Sequence, residues 1–377
     1  MKYKILFISS WFPNKLEPTN GNFVQKHAEA VALYNDVEIL HAVGDFYQKE
    51  KFLIDDKTVN GLRTLIVYYK NTHNPLLNFA RRMSAYKRGF GKLQKPDLVH
   101  ANVLHNSMLF AIYLKKKHKI SFIVSEHWSA FRKEAYYKTP TNIKYFARKI
   151  ANEAAIISPV SNDLKKGLQH LGIDATYKVV PNTVDTSLFY PKSSDNPVFT
   201  FLHISNLVPL KNADKILLAA LKLFENGYKF KIKIGGDGTD VQLSTLKKIA
   251  ESSNFSQNIE IFGLQKSCEV AEKMRNADCF ILFSDNENQP CVIPEAFASG
   301  ISVISTSVGG ISEFFPKGFG ILLDEPKQKL LQNAMVEIMN KKTDNAQKEI
   351  MVDYVKNNFS LEKIGVSFSE LYSQILK

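Results

Sequence analysis

Short runs of β-branched and aromatic residues recur along this chain, spaced so that a helix fits between each pair: YKILFIS, VEILHAV, TLIVYY, DLVHAN, SFIVSEH, AIISPVS and YKVVP. The stretch YPKSSDNP, Tyr190 to Pro197, is polar and bounded by prolines. Beyond it the pattern restarts with FTFLHIS, FKIKIGG, NIEIFG, CFILFS, ISVIST and FGILLD. Continuous apolar strands alternating with helices predict parallel sheets covered on both faces. Two such series predict two doubly wound α/β domains, residues 1–190 and 191–359. The closing FSLEKIGVSFSELYSQILK has apolar residues at helical spacing, and this segment, 360–377, is expected to pack back on the first domain. A chain of 377 residues is long enough for two cores of ordinary size. Ligands of such sheets bind beyond the carboxyl ends of the strands, so two sets of strand-end loops predict a cleft with a site inside it.

Composition excludes several classes. No apolar run reaches the ~18–20 residues that span a bilayer. WFPNKLEPTNGN follows the first apolar stretch where a secretory leader would have a cleavage site, so MKYKILFISS reads as a first strand. Cys268, Cys279 and Cys291 are sparse and lack metal-ligand spacing, which suits reduced thiols in a cytoplasmic protein. The net charge is +12, and it is polarised. Residues 1–190 hold 28 Lys and Arg against 15 Asp and Glu, whereas the remainder holds 21 against 22. The first half is therefore expected to face something anionic.

The segment ENQPCVIPEAF places Glu287 and Glu295 eight residues apart around an uncharged run. Pro294 suits the first turn of a helix, and Gly300 suits its end before ISVIST. The amides of Cys291, Val292 and Ile293 then lie at a helix start, where they would suit a phosphate. Carboxylates beside such a cradle suit neutral hydroxyls, which sugars and riboses offer in vicinal pairs. The geometry matches a nucleotide-sugar. The plain alternative is a helix that merely carries a dipole-favoured Glu at its start.

Context bears on that choice. The run SDNENQPCVIPEAFASGISVISTSVGGISE resembles the signature of glycosyltransferase family 4, the glycosyl transferases group 1, which are retaining enzymes with two Rossmann-like domains in the GT-B fold. GNFVQKHAEAVA, PDLVHAN, FIVSEHWSAF, VVPNTVDTSLFYP, GGDG and IEIFG resemble further landmarks of that family, in the same order. The resemblance implies a glycosyltransferase of hexosyltransferase type, with an acceptor-side first domain and a second domain that binds the nucleotide-sugar. It implies that Glu295 holds the ribose hydroxyls and Glu287 the hydroxyls of the donor sugar. Val292 and Ile293 would hold the distal phosphate through their amides, and Leu264 would lie near the base. Lys211 matches the diphosphate lysine, Gly21 the glycine loop, and His127 the histidine on the acceptor side. Catalytic weight therefore falls on Glu287, His127 and Lys211. Asn206 stands where the family usually has Arg, and Thr183 where it usually has Gly.

No metal cofactor is expected, since no Asp-x-Asp appears. GGDG lacks the full dinucleotide fingerprint and reads as a turn. His100 and His105 lie near strand ends but have no partner at zinc spacing. The segment Asn74 to Lys95 interleaves Leu76, Leu77, Phe79, Met83, Tyr86 and Phe90 with six cations. Such a helix can lie in an anionic lipid interface, which would make the protein peripheral at the inner face of the membrane. The alternative is a solvated helix with its apolar face in the core. The expected acceptor is a glycan or lipid-linked glycan in cell-surface polysaccharide or glycolipid assembly. A sugar-nucleotide epimerase of similar fold would turn over donor without an acceptor. A nucleic-acid-binding protein would explain the basic pI, but no aromatic-basic module appears, so no nucleic-acid partner is expected.

Overall fold

The computed structural model describes residues 2–192, 196–341 and 343–377, so residues 193–195 of the expected linker lie outside the described residues. The chain forms two compact units, Met1–Thr183 with Leu361–Lys377, and Val184–Ser360.

The first unit runs β1 (Lys4–Ser9), α1 (Asn22–Ala32), β2 (Asp36–Asp45), β3 (Phe52–Val59), β4 (Leu62–Lys70), α2 (Pro75–Phe90), β5 (Leu98–Asn102) and α3 (Leu109–His118). It continues with β6 (Ser121–Glu126), α4 (Thr141–Ala151), β7 (Ile156–Pro159) and α5 (Asn162–His170). The sheet order is β3-β4-β2-β1-β5-β6-β7. Successive residues of a strand serve opposite faces: Leu6 and Ile8 join one core layer, Ile5 and Phe7 the other. Two covered faces explain why the strands read as unbroken apolar runs.

Two expectations fail here. The sheet is not wholly parallel, because β3 pairs antiparallel with β4 through a hairpin turning at Asn60 and Gly61, both at positive φ (49° and 79°). Asn-Gly is the strongest short hairpin signal, but FLIDDKTV is half exposed and carries three charges, so it lacks an apolar run. YKVVP is not a strand. Tyr177 makes a single bridge to Ile157, and Lys178 and Val180 donate to β7 carbonyls.

The second unit runs β8 (Thr200–Ser205), α6 (Ala213–Glu225), β9 (Lys231–Gly236), α7 (Asp240–Glu251), β10 (Ile259–Phe262), α8 (Ser267–Arg275) and β11 (Cys279–Leu282). Then come α9 (Val292–Ala298), β12 (Ser302–Thr306), β13 (Gly320–Leu323), α10 (Gln328–Asn340) and α11 (Asn345–Phe359). All its strand pairings are parallel, in the order β10-β9-β8-β11-β12-β13. Here Cys279 and Ile281 serve one core layer, Phe280 and Leu282 the other.

The units divide at Thr183, seven residues before the expected boundary at residue 190. Val184 donates to the Phe359 carbonyl at 2.8 Å, and Phe189 is buried in the second unit's core. Apolar packing, and not the polar stretch that follows, decides where these residues belong. The final helix α12 (Leu361–Leu376) lies against α1 in the first unit. Gly365 permits that approach, since a Cβ there would strike the Ala30 carbonyl oxygen. Phe368 and Tyr372 complete the burial, and Asn35 Nδ2 donates to Ser369 Oγ at 2.8 Å.

Helix α2 departs from its lipid-facing reading over most of its length. Asn74 caps it and Pro75 opens it. Tyr86 is fully buried and donates to the Ser9 carbonyl at 2.7 Å, while Met83 and Phe90 pack on the core. A Cβ at Gly89 would strike the Leu40 side chain. Several of its cations are engaged within the protein: Arg82 donates to Tyr69 Oη at 3.0 Å, and Arg88 lies over the Phe52 ring. Only Leu76 and Leu77, at its start, are exposed large apolar residues.

Candidate active site

In the second unit, β8 lies between β9 and β11, so the chain leaves β8 toward one side of the sheet and reaches β11 on the other. That is the switch point where doubly wound sheets open a crevice. The loops after these two strands are tied together there. Asn212, in the left-handed region at φ 52°, donates through Nδ2 to the Phe283 carbonyl (2.9 Å) and to Asp285 Oδ1 (2.8 Å). The Asp285 amide donates to the Leu210 carbonyl at 2.8 Å. Between these ties, the Lys211 ammonium pairs with Glu287 Oε1. The pair is mostly buried, with side-chain exposures of 16% and 9%. A cation and a carboxylate are thus fixed at the crevice by the fold.

Helix α9 begins at Val292, two residues before the start expected from Pro294. Proline falls at its third position, still inside the first turn where a missing N–H costs nothing. The Glu295 amide makes the first helical bond, to the Cys291 carbonyl at 3.1 Å. Ile293 has a backbone acceptor after all, a long 3.4 Å bond to the Pro290 carbonyl. Glu295 is buried in the first turn, where the helix dipole favours its charge. Gly300, at φ 68°, follows the helix end as expected.

Asn206 follows β8 and is exposed, and Leu264 follows β10 and is exposed. A residue the sequence reading passed over orders the Asn206 turn. His203, buried within β8, contacts the Ile281 carbonyl through Nδ1 (2.8 Å) and Ser205 Oγ through Nε2 (2.9 Å). Ser205 Oγ in turn accepts from the Leu207 amide at 3.0 Å. Burial lowers the His203 pKa to about 4, the Ile281 contact opposes this, and the Lys211 charge adds to the lowering. GGDG closes against the same turn: the Asp237 amide donates to the Ser205 carbonyl at 3.0 Å, and a Cβ at Gly236 would strike that oxygen. The reading of GGDG as a turn is corrected: Gly235 and Gly236 end β9, and the chain bends only at Asp237.

In the first unit, the switch point lies between β1 and β5. Gly21 stands at φ 73° just before α1, and a Cβ there would collide with the Trp11 carbonyl oxygen. The glycine is required by its own loop. His127, just beyond β6, lies against the Phe23 ring with centroids 4.2 Å apart and near the His27 ring at 5.3 Å. Burial, and then His27 and His100, hold its pKa well below the ordinary value, so the ring is neutral at pH 7. His100 is structural: it bridges the Tyr372 hydroxyl and Ser125 Oγ, both at 2.7 Å. His105 caps the following turn, accepting from the Ser107 amide. Glu126 was also missed. Its buried carboxylate accepts from the amides of Leu104 (2.6 Å), His127 (2.7 Å) and Trp128 (2.6 Å). It thereby clamps the His127 turn to the loop after β5. The signal was present, an acid at the end of an apolar strand, but its three partners are main-chain amides that no motif encodes.

Seven of the expected site residues, Asn206, Lys211, Leu264, Glu287, Val292, Ile293 and Glu295, therefore lie on carboxyl-end loops of the second sheet or on the helix that follows one. Gly21 and His127 lie at the carboxyl end of the first. Among the described residues, no group of three or more His, Cys, Asp or Glu could hold a metal ion.

Two doubly wound units with polar residues gathered at their strand ends define a GT-B glycosyltransferase architecture. Residues 188–357 match the family described as Glycosyl transferases group 1, and residues 30–188 match Glycosyltransferase Family 4. An uncharacterized glycosyltransferase of Methanocaldococcus jannaschii is 27% identical over 323 residues, 81% of this chain and 86% of that protein. TuaC of Bacillus subtilis, a candidate teichuronic acid biosynthesis glycosyltransferase, is 22% identical over 360 residues, 88% of each chain. The structure of Anabaena HepE in complex with UDP is similar at a TM-score of 0.75 and 16% identity, covering 99% of this chain and 100% of that one. This chain belongs to glycosyltransferase family 4, group 1, and is a glycosyltransferase.

Proposed function

We propose that the enzyme is a retaining transferase that moves a sugar from a nucleoside diphosphate to the hydroxyl of a glycan or lipid-linked glycan during cell-surface polysaccharide or glycolipid assembly. The observation that carries the donor reading is the Lys211–Glu287 pair at the β8/β11 switch point, with Glu295 buried in the next helix. The UDP held by HepE and the polysaccharide named for TuaC support the donor and acceptor classes.

In this reading Lys211 leaves Glu287 for the donor diphosphate and neutralises the charge that grows as the glycosidic bond breaks. Glu287 then accepts from hydroxyls of the sugar, and Glu295 from the ribose hydroxyls. The Val292 amide faces the distal phosphate, the Ile293 amide joins it by giving up its long bond to the Pro290 carbonyl, and Leu264 borders the base. With Asn206 in place of an arginine, Lys211 and these amides carry the leaving-group charge. His127 is neutral and can accept or donate one hydrogen bond to a sugar hydroxyl. The acceptor oxygen attacks the anomeric carbon on the face that the phosphate leaves, and the departing phosphate oxygen takes the acceptor's proton. Configuration is thereby kept without a carboxylate nucleophile. No divalent metal takes part, so transfer persists in excess EDTA.

A thermal-shift panel of nucleoside diphosphates and nucleotide-sugars tests the donor reading. One base should raise the midpoint, since a ligand stabilises by RT ln(1 + [L]/Kd). No shift with any member overturns it. Donor consumption without an acceptor would assign an epimerase instead.

A further inference from the structure

One surface of the first unit is left unexplained by donor or acceptor chemistry. Phe46 and Tyr47, just after β2, are 55% and 92% exposed, and Leu76 and Leu77, at the start of α2, are 81% and 42% exposed. The segments that carry these pairs are distant in sequence but adjoin in the fold. The Asn71 amide donates to the Asp45 carbonyl at 2.9 Å, and the Phe46 and His73 rings lie with centroids 5.6 Å apart. Large apolar side chains gathered at one exposed corner mark a contact surface. The segments that carry these side chains, 46–51 and 70–77, hold Lys49, Lys51 and Lys70 against the single acid Glu50.

We infer that this corner docks on an anionic lipid surface, with Phe46, Tyr47, Leu76 and Leu77 entering the interface and the surrounding cations facing lipid phosphates. Charge decides the occupant: aromatic and aliphatic tips flanked by three lysines against one glutamate suit the boundary of an anionic bilayer. The position suits the task. The corner sits at the carboxyl end of β2 and β4, the same end of this parallel run as the β1 and β5 loops and His127. A lipid-linked acceptor would reach that end directly from the membrane. The inference extends the lipid-linked acceptor reading, but it replaces the amphipathic face of α2 with a corner built from two loops and a helix start.

The test compares wild type with a variant carrying Phe46→Ser, Tyr47→Ser, Leu76→Ser and Leu77→Ser. These side chains are exposed, so the fold should persist. Both proteins are sedimented with vesicles of phosphatidylglycerol and phosphatidylcholine, and with phosphatidylcholine alone, at low and high salt. Wild type should partition to the anionic vesicles and less so at high salt. The variant's partition should fall roughly a hundredfold or more. Wild type ignoring anionic vesicles at low salt, or a variant that binds them equally, overturns the inference. A wild-type dimer that the substitutions dissociate, with vesicle binding unchanged, assigns the corner to a second copy instead. Nucleoside diphosphate shifts in the same two proteins report separately on the donor site, so failure of one reading does not mimic failure of the other.

Discussion

Lys211 and Glu287, 76 residues apart in the chain, form an ion pair that is mostly buried where the loops after β8 and β11 meet. Each partner therefore holds the other's charge in place until something else does. Lys211→Ala strands a carboxylate, and the protein should lose about 3 kcal/mol in urea denaturation. Its diphosphate affinity should fall roughly tenfold to a hundredfold by calorimetric titration. Glu287→Ala also destabilises the free enzyme, but a bound diphosphate supplies the missing anion, so its affinity should hold or rise while turnover is largely lost. Equal loss of diphosphate binding in the two variants would sink this division of roles.

Glu295 is assigned to the nucleotide and not to the sugar. Glu295→Ala should weaken the free nucleoside diphosphate by roughly tenfold or more, the worth of a hydrogen bond to a charged group. Titrating the nucleoside diphosphate against its 2′-deoxy counterpart, which keeps both phosphates, checks the cause. Wild type should discriminate between them and the variant should not.

Gly21 offers a test of backbone need. Alanine there would occupy the left-handed region and press on the Trp11 carbonyl, so Gly21→Ala should cost about 1–3 kcal/mol. Unchanged stability with lost activity would show that the glycine serves a ligand instead.

Acid should destabilise the protein through its buried histidines. Burial brings His27, His41, His105 and His203 to about 4, and holds His100 and His127 well below their ordinary value. The unfolded chain binds more protons than the folded one below pH 6.5, so stability is complete above that point and falls as pH drops toward 4. Glu126 opposes this. Burial raises its carboxyl to about 7 against the pull of three amides, so its contribution is complete below about 4.5 and fades as pH rises to 7. Glu126→Gln deletes the opposing slope, and the variant's melting temperature should fall more steeply than that of wild type between pH 7 and 5. Calorimetry across that window checks it. Parallel curves would mean that the three amides hold Glu126 ionised throughout.

How much of this was legible in the chain varies with the range of the interaction. Strands such as KILFIS and CFILFS announced themselves, because burial on both sheet faces demands an apolar residue at every position. The Glu287 to Glu295 spacing was legible for a similar reason: it lies within one loop and one helix turn, so local sequence carries it. FLIDDKTV was missed because an edge strand with a wet face needs no apolar run. The apolar face of α2 was open to two readings, since a helix that faces a core and one that faces lipid share the same periodicity. Only the sheet beneath Tyr86 and Gly89 separates them. The Lys211–Glu287 pair, the Leu104 amide on Glu126 and the meeting of Phe46 with His73 lay beyond sequence reasoning altogether. Each joins residues that only strand order brings together, and strand order is set by the packing of whole layers and not by any residue's own preference.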